Sequence, residues 1–210
     1  MSATRAISLN KSPAVIVISI VAFIAFALAV GYEMYWNRYD QRPQVVKDQD
    51  ALRAQVRTEP DDADAHLNLG WIYYEQGKKS AALRQYKQAL SLDKEHIGAM
   101  YNIGLVQKDL KNYKEAEIQL KEVLNRAPNH ELASYTLAQV YRESKQYAKA
   151  ETQYREALKV APSSANIIAE LGLVYEARGR KVEAIKQYRE ALRFVPNLKE
   201  AQAGLKRLGK

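Results

Sequence analysis

Three histidines are the side chains best able to bind a metal ion or to transfer protons near neutral pH. They are His66, His96 and His130, and the positions of the last two differ by 34. The chain has no cysteine that could complete a zinc site with them, act as a nucleophile or form a disulfide. The sequence also lacks a glycine-rich phosphate loop and a nucleophile in a recognisable elbow or triad. We therefore expect no metal, no cofactor and no enzymatic activity, and we interpret the histidines as turn or capping residues.

Lysine and arginine are concentrated at one end of the chain. Between Arg178 and Lys210 there are 10 Lys and Arg residues against 3 Asp and Glu residues, within a formal net charge of +8 for the whole chain. The predicted basic patch consists of Arg193, Lys199, Lys206, Arg207 and Lys210. Such a patch favours contact with anionic lipid, nucleic acid or an acidic partner. Nucleic acid is the less favoured partner because the rest of the chain is nearly neutral, and a solvated polar cap on a terminal helix is the alternative.

The elements that carry these residues follow an internal repeat. Shifting the chain against itself by 34 positions brings small residues into register at two places in each unit. The first place holds Gly70, Gly104, Ala138 and Gly172, and the second holds Ala82, Ala116, Ala150 and Ala184. Four consecutive units follow, at 63–96, 97–130, 131–164 and 165–198.

Each unit is predicted to be a helical hairpin. Apolar residues recur at helical spacing on both sides of a short polar break such as 76–79. The small residues mark where two helices approach closely, so a large side chain at Gly104 or Ala116 would overpack the contact at a cost of about 1–3 kcal/mol. A proline such as Pro128 ends the second helix, because proline cannot donate to the helical ladder.

This pattern of small, large apolar and proline residues at period 34 resembles the tetratricopeptide repeat (TPR) family over residues 63–198. The resemblance implies an all-α, right-handed α-solenoid of four hairpins whose first helices line a concave groove. Residues 199–210 are expected to form a C-terminal capping helix and a basic C-terminus, because solenoids need their ends covered. Residues 33–62 are interpreted as a linker or stalk with a helix at about 45–57, which could also be a degenerate half-repeat that caps the other end.

The resemblance places the partner-binding surface on the exposed positions of the first helices. Aromatic and aliphatic residues are common there, and they suit a docked peptide or helix because they bury a large area with few rotatable bonds. The predicted groove residues are Leu67, Trp71, Tyr74, Tyr101, Leu105, Tyr135, Gln139, Arg142 and Leu173. Leu105 and Leu173 could instead pack between hairpins, and the helix at 45–57, or the same segment of a second copy, could fill the groove.

One subtype of the family can be tested against the sequence. Members that hold the carboxylate tail of cytosolic chaperones use Lys, Arg and Asn at fixed positions of three successive first helices. The matching positions here carry Leu67, Trp71, Asn102, Leu132 and Thr136. Only Asn102 fits, so the sequence argues against a chaperone-tail clamp.

An apolar run precedes the repeats. No charged residue lies between Lys11 and Glu33, and the segment 13–32 has the length that a helix needs to cross a bilayer. We predict a short basic tail at 1–12 followed by a transmembrane signal anchor at 13–32. A cleaved signal peptide is the alternative, because residues 27–29 have the form of a cleavage site. The short basic tail favours an extracytoplasmic location for the repeats.

Together these features predict a single-pass membrane adaptor that binds a protein or peptide segment and helps to recruit or assemble a membrane-associated complex. One alternative is an accessory factor in envelope-protein biogenesis, since several bacterial cytochrome c maturation and secretion factors resemble this layout of anchor and array. Another is contact of the basic C-terminal end with anionic lipid or nucleic acid. A homo-oligomer is also compatible with the sequence.

Overall fold

The computed structural model describes residues 44–210, which contain ten α-helices and no β-strand. The helices are α1 (Gln44–Thr58), α2 (Ala63–Glu75), α3 (Lys79–Leu92), α4 (Ile97–Asp109), α5 (Tyr113–Arg126), α6 (Glu131–Glu143), α7 (Tyr147–Val160), α8 (Ala165–Ala177), α9 (Lys181–Phe194) and α10 (Lys199–Arg207). Residues Asp48–Lys210 form one compact unit. The predicted basic tail at 1–12 and membrane segment at 13–32 lie outside the described residues and stay predictions. None of the helices between residues 44 and 210 is both long enough and apolar enough to span a bilayer.

Helices α2 to α9 pair as four helical hairpins, and consecutive hairpins stack on one another. This confirms the all-α solenoid that the repeat in the sequence predicted. The turn inside each hairpin contains one residue with a positive φ, namely Gly77 (72°), Lys111 (62°), Lys145 (62°) and Gly179 (74°). Glycine adopts this conformation without strain, whereas lysine does so at a cost of about 1–2 kcal/mol.

The small residues shared by the repeats lie where the two helices of a hairpin meet. A methyl group on Gly70 would stand 2.6 Å from the Tyr86 ring, and one on Gly104 would stand 2.8 Å from the side chain of Leu120. Contacts this short require a neighbour to move, so glycine sets the spacing of the helices, as the sequence indicated. The alanines at the second shared place, Ala82, Ala116, Ala150 and Ala184, are completely buried.

The hydrophobic core is divided into two clusters along the stack. The larger cluster extends from Met100 to Ala201 and joins the second, third and fourth hairpins to α10. The smaller cluster, formed by Ala82, Tyr86, Ile103 and Val106, joins the first hairpin to the second. Leu90 of the first hairpin packs against both clusters, so the first hairpin is joined to the rest of the core by fewer fully buried residues than the later hairpins are.

A recurring group of three side chains, here named the junction set, links a second helix to the next first helix. At the junction of the third and fourth hairpins it consists of Glu151, Arg155 and Tyr175. Arg155 Nη2 donates to the Tyr175 hydroxyl at 2.8 Å, and this hydroxyl donates to Glu151 Oε1 at 3.2 Å. Glu151 and Arg155 are themselves paired at 2.7 Å. The tyrosine of one hairpin is thus held by an acid and a cation of the preceding hairpin.

The junction set recurs once in each repeat, although not always intact. The equivalent positions carry Glu117, Lys121 and Tyr141 at the preceding junction, and Leu83, Lys87 and Gln107 at the junction of the first and second hairpins. The Tyr141 hydroxyl donates to Glu117 at 2.8 Å, as its counterpart does to Glu151. Gln107, by contrast, accepts a hydrogen bond from Asn112 of the next turn. The set is therefore broken where the two hydrophobic clusters meet.

Helix α1 takes the place of a second helix ahead of the first hairpin. Its residues Gln49 and Arg53 occupy junction-set positions, and Arg53 donates to the hydroxyl of Tyr73 at 3.1 Å. Gln49 accepts from Gln76 at 3.3 Å. Pro60, just after the helix, is in register with the prolines that end the other second helices. Of the roles considered for this helix, the contacts of Gln49 and Arg53 match a half-repeat that caps the first hairpin.

Helix α10 packs on α8 and α9, in the place that the first helix of a further repeat would take. Gly204 permits this contact, because a Cβ there would stand 2.4 Å from the Tyr188 ring. Arg207 Nε and Nη2 each donate to a carboxylate oxygen of Glu176 on α8 at 2.9 Å. Ala201 is completely buried. The helix therefore covers the apolar end of the last hairpin.

Candidate peptide-binding groove

The first helices α2, α4, α6 and α8 carry the side chains that the sequence predicted for the groove. Trp71 is the most exposed of these residues, with 47% of its surface accessible, and its ring centroid lies 5.8 Å from that of Tyr74. The Tyr74 hydroxyl donates to Asp109 of the next hairpin at 2.7 Å. Burial and this carboxylate raise the pKa of Tyr74 above the ordinary tyrosine value. An exposed indole thus lies beside a tyrosine that is fixed to the neighbouring repeat.

Tyr101 and Tyr135 lie on α4 and α6 and are partly buried. Tyr101 stacks on His130 with the ring centroids 5.3 Å apart, and its hydroxyl lies 3.5 Å from Thr136 Oγ1. Tyr135 packs against Tyr154 at a centroid distance of 6.0 Å, and burial raises its pKa. Tyr101 contributes to the contact with α6 and Tyr135 to packing within the third hairpin, so truncating either one removes structural contacts as well as surface.

The cations of this surface are each held by an acceptor on a neighbouring repeat. Lys108 donates to Gln139 Oε1 at 3.1 Å, and Arg142 Nε lies 2.8 Å from Glu170 Oε2. Arg207 of α10 donates two hydrogen bonds to Glu176 of α8. Hydrogen bonds that involve a charged group are stronger than neutral ones, so these contacts tie successive helices together. The bound cations are not available as an unpaired clamp for a carboxylate tail.

Two depressions open on the C-terminal part of the array. One, of about 220 Å³, is lined by Tyr135, Asn166, Ala169, Glu170, Leu173 and Glu200. The other, of about 450 Å³, is lined by Arg142, Tyr147, Leu173, Glu176, Ala177 and Arg207. Leu173 borders both depressions. Residues of the third hairpin, the fourth hairpin and α10 therefore line these two adjoining depressions.

The structure brings only part of the predicted set together. Tyr135, Arg142 and Leu173 meet around the two depressions, whereas Trp71 and Tyr74 form a separate pair on the first hairpin. The remaining predicted residues are half-buried: Leu67 packs on the core of the first hairpin, Leu105 lies on α4, and Gln139 accepts from Lys108.

Glu170 and Glu200 line the smaller depression, although neither was among the predicted groove residues. The repeat register contained a signal for them. Glu200 lies one repeat after Asn166, and Ala169 lies one repeat after Tyr135, so the same positions of successive first helices line the depression. Extending the register into residues 199–210 would have found Glu200.

Two cations of the predicted basic patch form ion pairs with nearby glutamates. Arg207 is engaged by Glu176, and Arg193 pairs with Glu190 at 2.7 Å. The other members, which are exposed and form no ion pair within residues 44–210, are Lys199, Lys206 and Lys210. The patch is therefore smaller than its count of cations suggests.

Two of the histidines form local hydrogen bonds, and the third lies beside a carboxylate. His66 lies 2.8 Å from Gln85 and 3.1 Å from the Pro60 carbonyl, and His130 Nδ1 accepts from the Ala133 amide at 3.1 Å at the start of α6. His96 lies 3.2 Å from Asp64. In the part of the chain that the structure describes, no three His, Asp or Glu side chains are grouped as metal ligands.

The array matches known proteins of the same repeat type. Tetratricopeptide repeat models match residues 96–163 and 135–198, and a TPR repeat model matches residues 70–111. A segment of 79 residues is 30% identical to protein O-mannosyl-transferase TMTC1 of Mus musculus, and one of 81 residues is 30% identical to superkiller complex protein 3 of Homo sapiens. These segments span 38% and 39% of this chain but only 8% and 5% of those proteins.

Solved structures share the fold. MamA 41-end from Desulfovibrio magneticus RS-1 superposes with a TM-score of 0.70 at 22% identity, covering 81% of this chain and 96% of that one. YrrB, described as a TPR protein with an unusual peptide-binding site, gives a TM-score of 0.68 at 17% identity, covering 78% and 84%. At these identities the likeness establishes the fold alone. The repeat models and the stacked hairpins agree, and the chain belongs to the tetratricopeptide repeat family.

Proposed function

We propose that this protein is a membrane-anchored TPR adaptor that binds a protein or peptide segment on its first helices and helps to recruit or assemble a membrane-associated complex. The observation that carries the proposal is the exposed Trp71, which lies beside Tyr74 on the first hairpin. Tryptophan is enriched among the residues that dominate binding energy at interfaces, since it buries a large area with little loss of side-chain freedom.

The C-terminal part of the array supports the same function. Its two depressions meet at Leu173 and are bordered by carboxylates and by Tyr135, so they can receive side chains of a bound segment. YrrB, a structural neighbour, is described as having a peptide-binding site. A segment that runs along the first helices would contact both Trp71 and these depressions.

The membrane component of the proposal rests on the apolar segment 13–32, with the repeats outside the cytoplasm. The absence of cysteine allows a direct test of orientation, because a single cysteine can be introduced at the exposed Lys199. Rapid labelling of the Lys199→Cys chain in intact cells by a membrane-impermeant maleimide supports an extracytoplasmic array. Labelling only after the membrane is opened contradicts it.

The binding function is tested by capture from native membranes with the full chain in detergent. Wild type is compared with Trp71→Ala and with the triple alanine variant at Trp71, Tyr101 and Tyr135. Phe194→Ala is the matched control, since Phe194 is 45% exposed but lies at the end of a second helix. We expect a partner that is retained by wild type and the control and lost from both groove variants.

Thermal unfolding separates loss of binding from loss of structure. Trp71→Ala removes an exposed ring and is expected to leave the melting temperature nearly unchanged, whereas the triple variant also removes packing against His130 and Tyr154. Capture that survives in a folded Trp71→Ala variant and in the triple variant would show that the partner does not use this groove.

A further inference from the structure

A fifth copy of the junction set lies at the C-terminal end of the array, and it lacks both its tyrosine and its acid. Adding 34 to the positions of Glu151, Arg155 and Tyr175 leads to Ile185, Arg189 and Gly209. Gly209 follows α10 and has a φ of 72°. The cation of the set is therefore present on α9, but the position that supplies the aromatic ring elsewhere has no side chain.

The space beside this incomplete set is open. A depression of about 450 Å³ is lined by Val182, Ile185, Lys186, Arg189, Glu190, Arg193 and Lys210. Two members of the set, Ile185 and Arg189, form part of its wall, and Lys210 adjoins the position of the missing tyrosine. Val182 is 79% exposed, so its side chain is open to contact with a partner.

Two copies that keep both the cation and the tyrosine show what this kind of site binds. At Tyr175, Arg155 donates to the hydroxyl, and the guanidinium of Arg180 lies 4.5 Å from the ring centroid. At Tyr73, Arg53 both donates to the hydroxyl and lies 5.7 Å from the centroid. Cations attract the electron-rich face of an aromatic ring, so the recurring cation is one reason that tyrosine fits these sites. Arg189 is the counterpart of Arg155 and Arg53 in the fifth copy, so it can donate to the hydroxyl of a docked tyrosine.

The residues around the fifth copy favour an acidic partner. Arg193 is neutralised by Glu190 at 2.7 Å, whereas Lys186, Arg189 and Lys210 form no ion pair within the described part of the chain. The depression thus combines aliphatic walls from Val182 and Ile185 with an uncompensated positive rim. Carboxylates on either side of an aromatic side chain would complement that rim.

We propose that this incomplete junction set is a second docking site, separate from the groove, for a tyrosine flanked by carboxylates on a segment of a partner protein. The tyrosine ring occupies the depression against Val182 and Ile185. Arg189 then binds it as Arg155 binds Tyr175, and the flanking carboxylates pair with Lys186 and Lys210. A segment docked there would extend beyond the last hairpin the type of contact that joins the hairpins within the array.

The test uses the full chain in detergent and a fluorescein-labelled peptide that carries one tyrosine between glutamates. A second peptide, in which alanine replaces the tyrosine, is the control. Fluorescence anisotropy is expected to show about tenfold tighter binding of the tyrosine peptide, as an aromatic ring against a partly desolvated cation provides. Arg189→Ala should remove most of this difference. Lys199→Ala takes away one exposed charge outside the depression and should keep the difference.

Three results would overturn the proposal. Equal binding of the tyrosine and alanine peptides would show that only charge is recognised. Equal losses in Arg189→Ala and Lys199→Ala would mean general attraction to the basic end, such as an anionic lipid surface would also experience. Loss in Trp71→Ala with retention in Arg189→Ala would place the peptide in the groove, which leaves the proposed function intact and removes this second site.

Discussion

Replacement of Gly172 by alanine tests how tightly the fourth hairpin and α10 are packed. The added methyl group would stand 2.7 Å from the Tyr188 ring, about 1 Å inside a normal contact between carbon atoms. The ring has little room to yield. It is completely buried, it lies against the backbone of Gly204, and its hydroxyl donates to Glu176 at 2.6 Å.

The expected magnitude follows from two opposing effects. Overpacking a tight contact costs about 1–3 kcal/mol, whereas alanine favours the helix over glycine by about 1 kcal/mol. Because the ring is held on several sides, we place the cost of overpacking in the upper part of its range. The net loss is then about 1–2 kcal/mol, and the melting temperature should fall by about 2–8 °C for a domain of this size.

The assay is thermal unfolding of the full chain followed by circular dichroism, with Gly98→Ala as the matched control. Gly98 lies in the first turn of α4, where the nearest side-chain atoms would be 3.4 Å from a new Cβ. That substitution is expected to leave stability unchanged or to raise it. A Gly172→Ala variant as stable as Gly98→Ala would refute the view that glycine sets the spacing at this contact.

Three other substitutions have defined outcomes. Gln107→Tyr places a ring beside Lys87 in the broken junction set and should stabilise the array by about 1 kcal/mol, measured as a rise in melting temperature. Lys111→Gly relieves a positive φ and should raise the midpoint of urea unfolding, with a net gain of about 0.5–1 kcal/mol after the greater freedom of unfolded glycine is counted. Arg207 holds the pKa of Glu176 below its ordinary value. The stability that this ion pair contributes is therefore present above the unfolded pKa of about 4.3 and is lost as pH falls through the folded pKa. Glu176→Gln should lower the melting temperature at pH 7 and flatten its fall between about pH 5 and pH 3; an unchanged acid slope would show that the pair does not stabilise α10.

The repeated hairpins could be predicted because their geometry depends on residues that recur at fixed spacing. A contact such as Gly104 against Leu120 tolerates only a small residue at one position, so the packing leaves a visible mark in each unit. The turns inside the hairpins were harder to predict. Lys111 and Lys145 adopt a positive φ there, as Gly77 and Gly179 do in the other two hairpins. The surrounding hairpin enforces that conformation regardless of the local preference.

The candidate site was harder to predict because it depends on pairing between repeats. Charge counting treats Arg207 as part of a basic patch, but a carboxylate on α8 engages it. The same applies to Arg142, whose guanidinium lies against Glu170 of the next hairpin. The role of helix α1 was hard to predict because Gln49 stands where the junction set has its acid, although Pro60 is in register with the prolines of the repeats. Spacing along the chain identifies a helix face, whereas partner choice requires the angle and rotamer of both side chains.

The division of the core at the first hairpin affects how the groove binds. In a repeat array each hairpin is stabilised only by its neighbours, and this hairpin combines a small hydrophobic cluster with a broken junction set. Amide hydrogens of α2 and α3 should accordingly exchange with solvent faster than those of α6 to α9. Trp71 lies on this hairpin, so opening of the hairpin would reduce the apparent affinity for a segment spanning the whole groove by the fraction of molecules that are open. Strengthening the junction, as Gln107→Tyr does, would then tighten binding without any new contact to the partner.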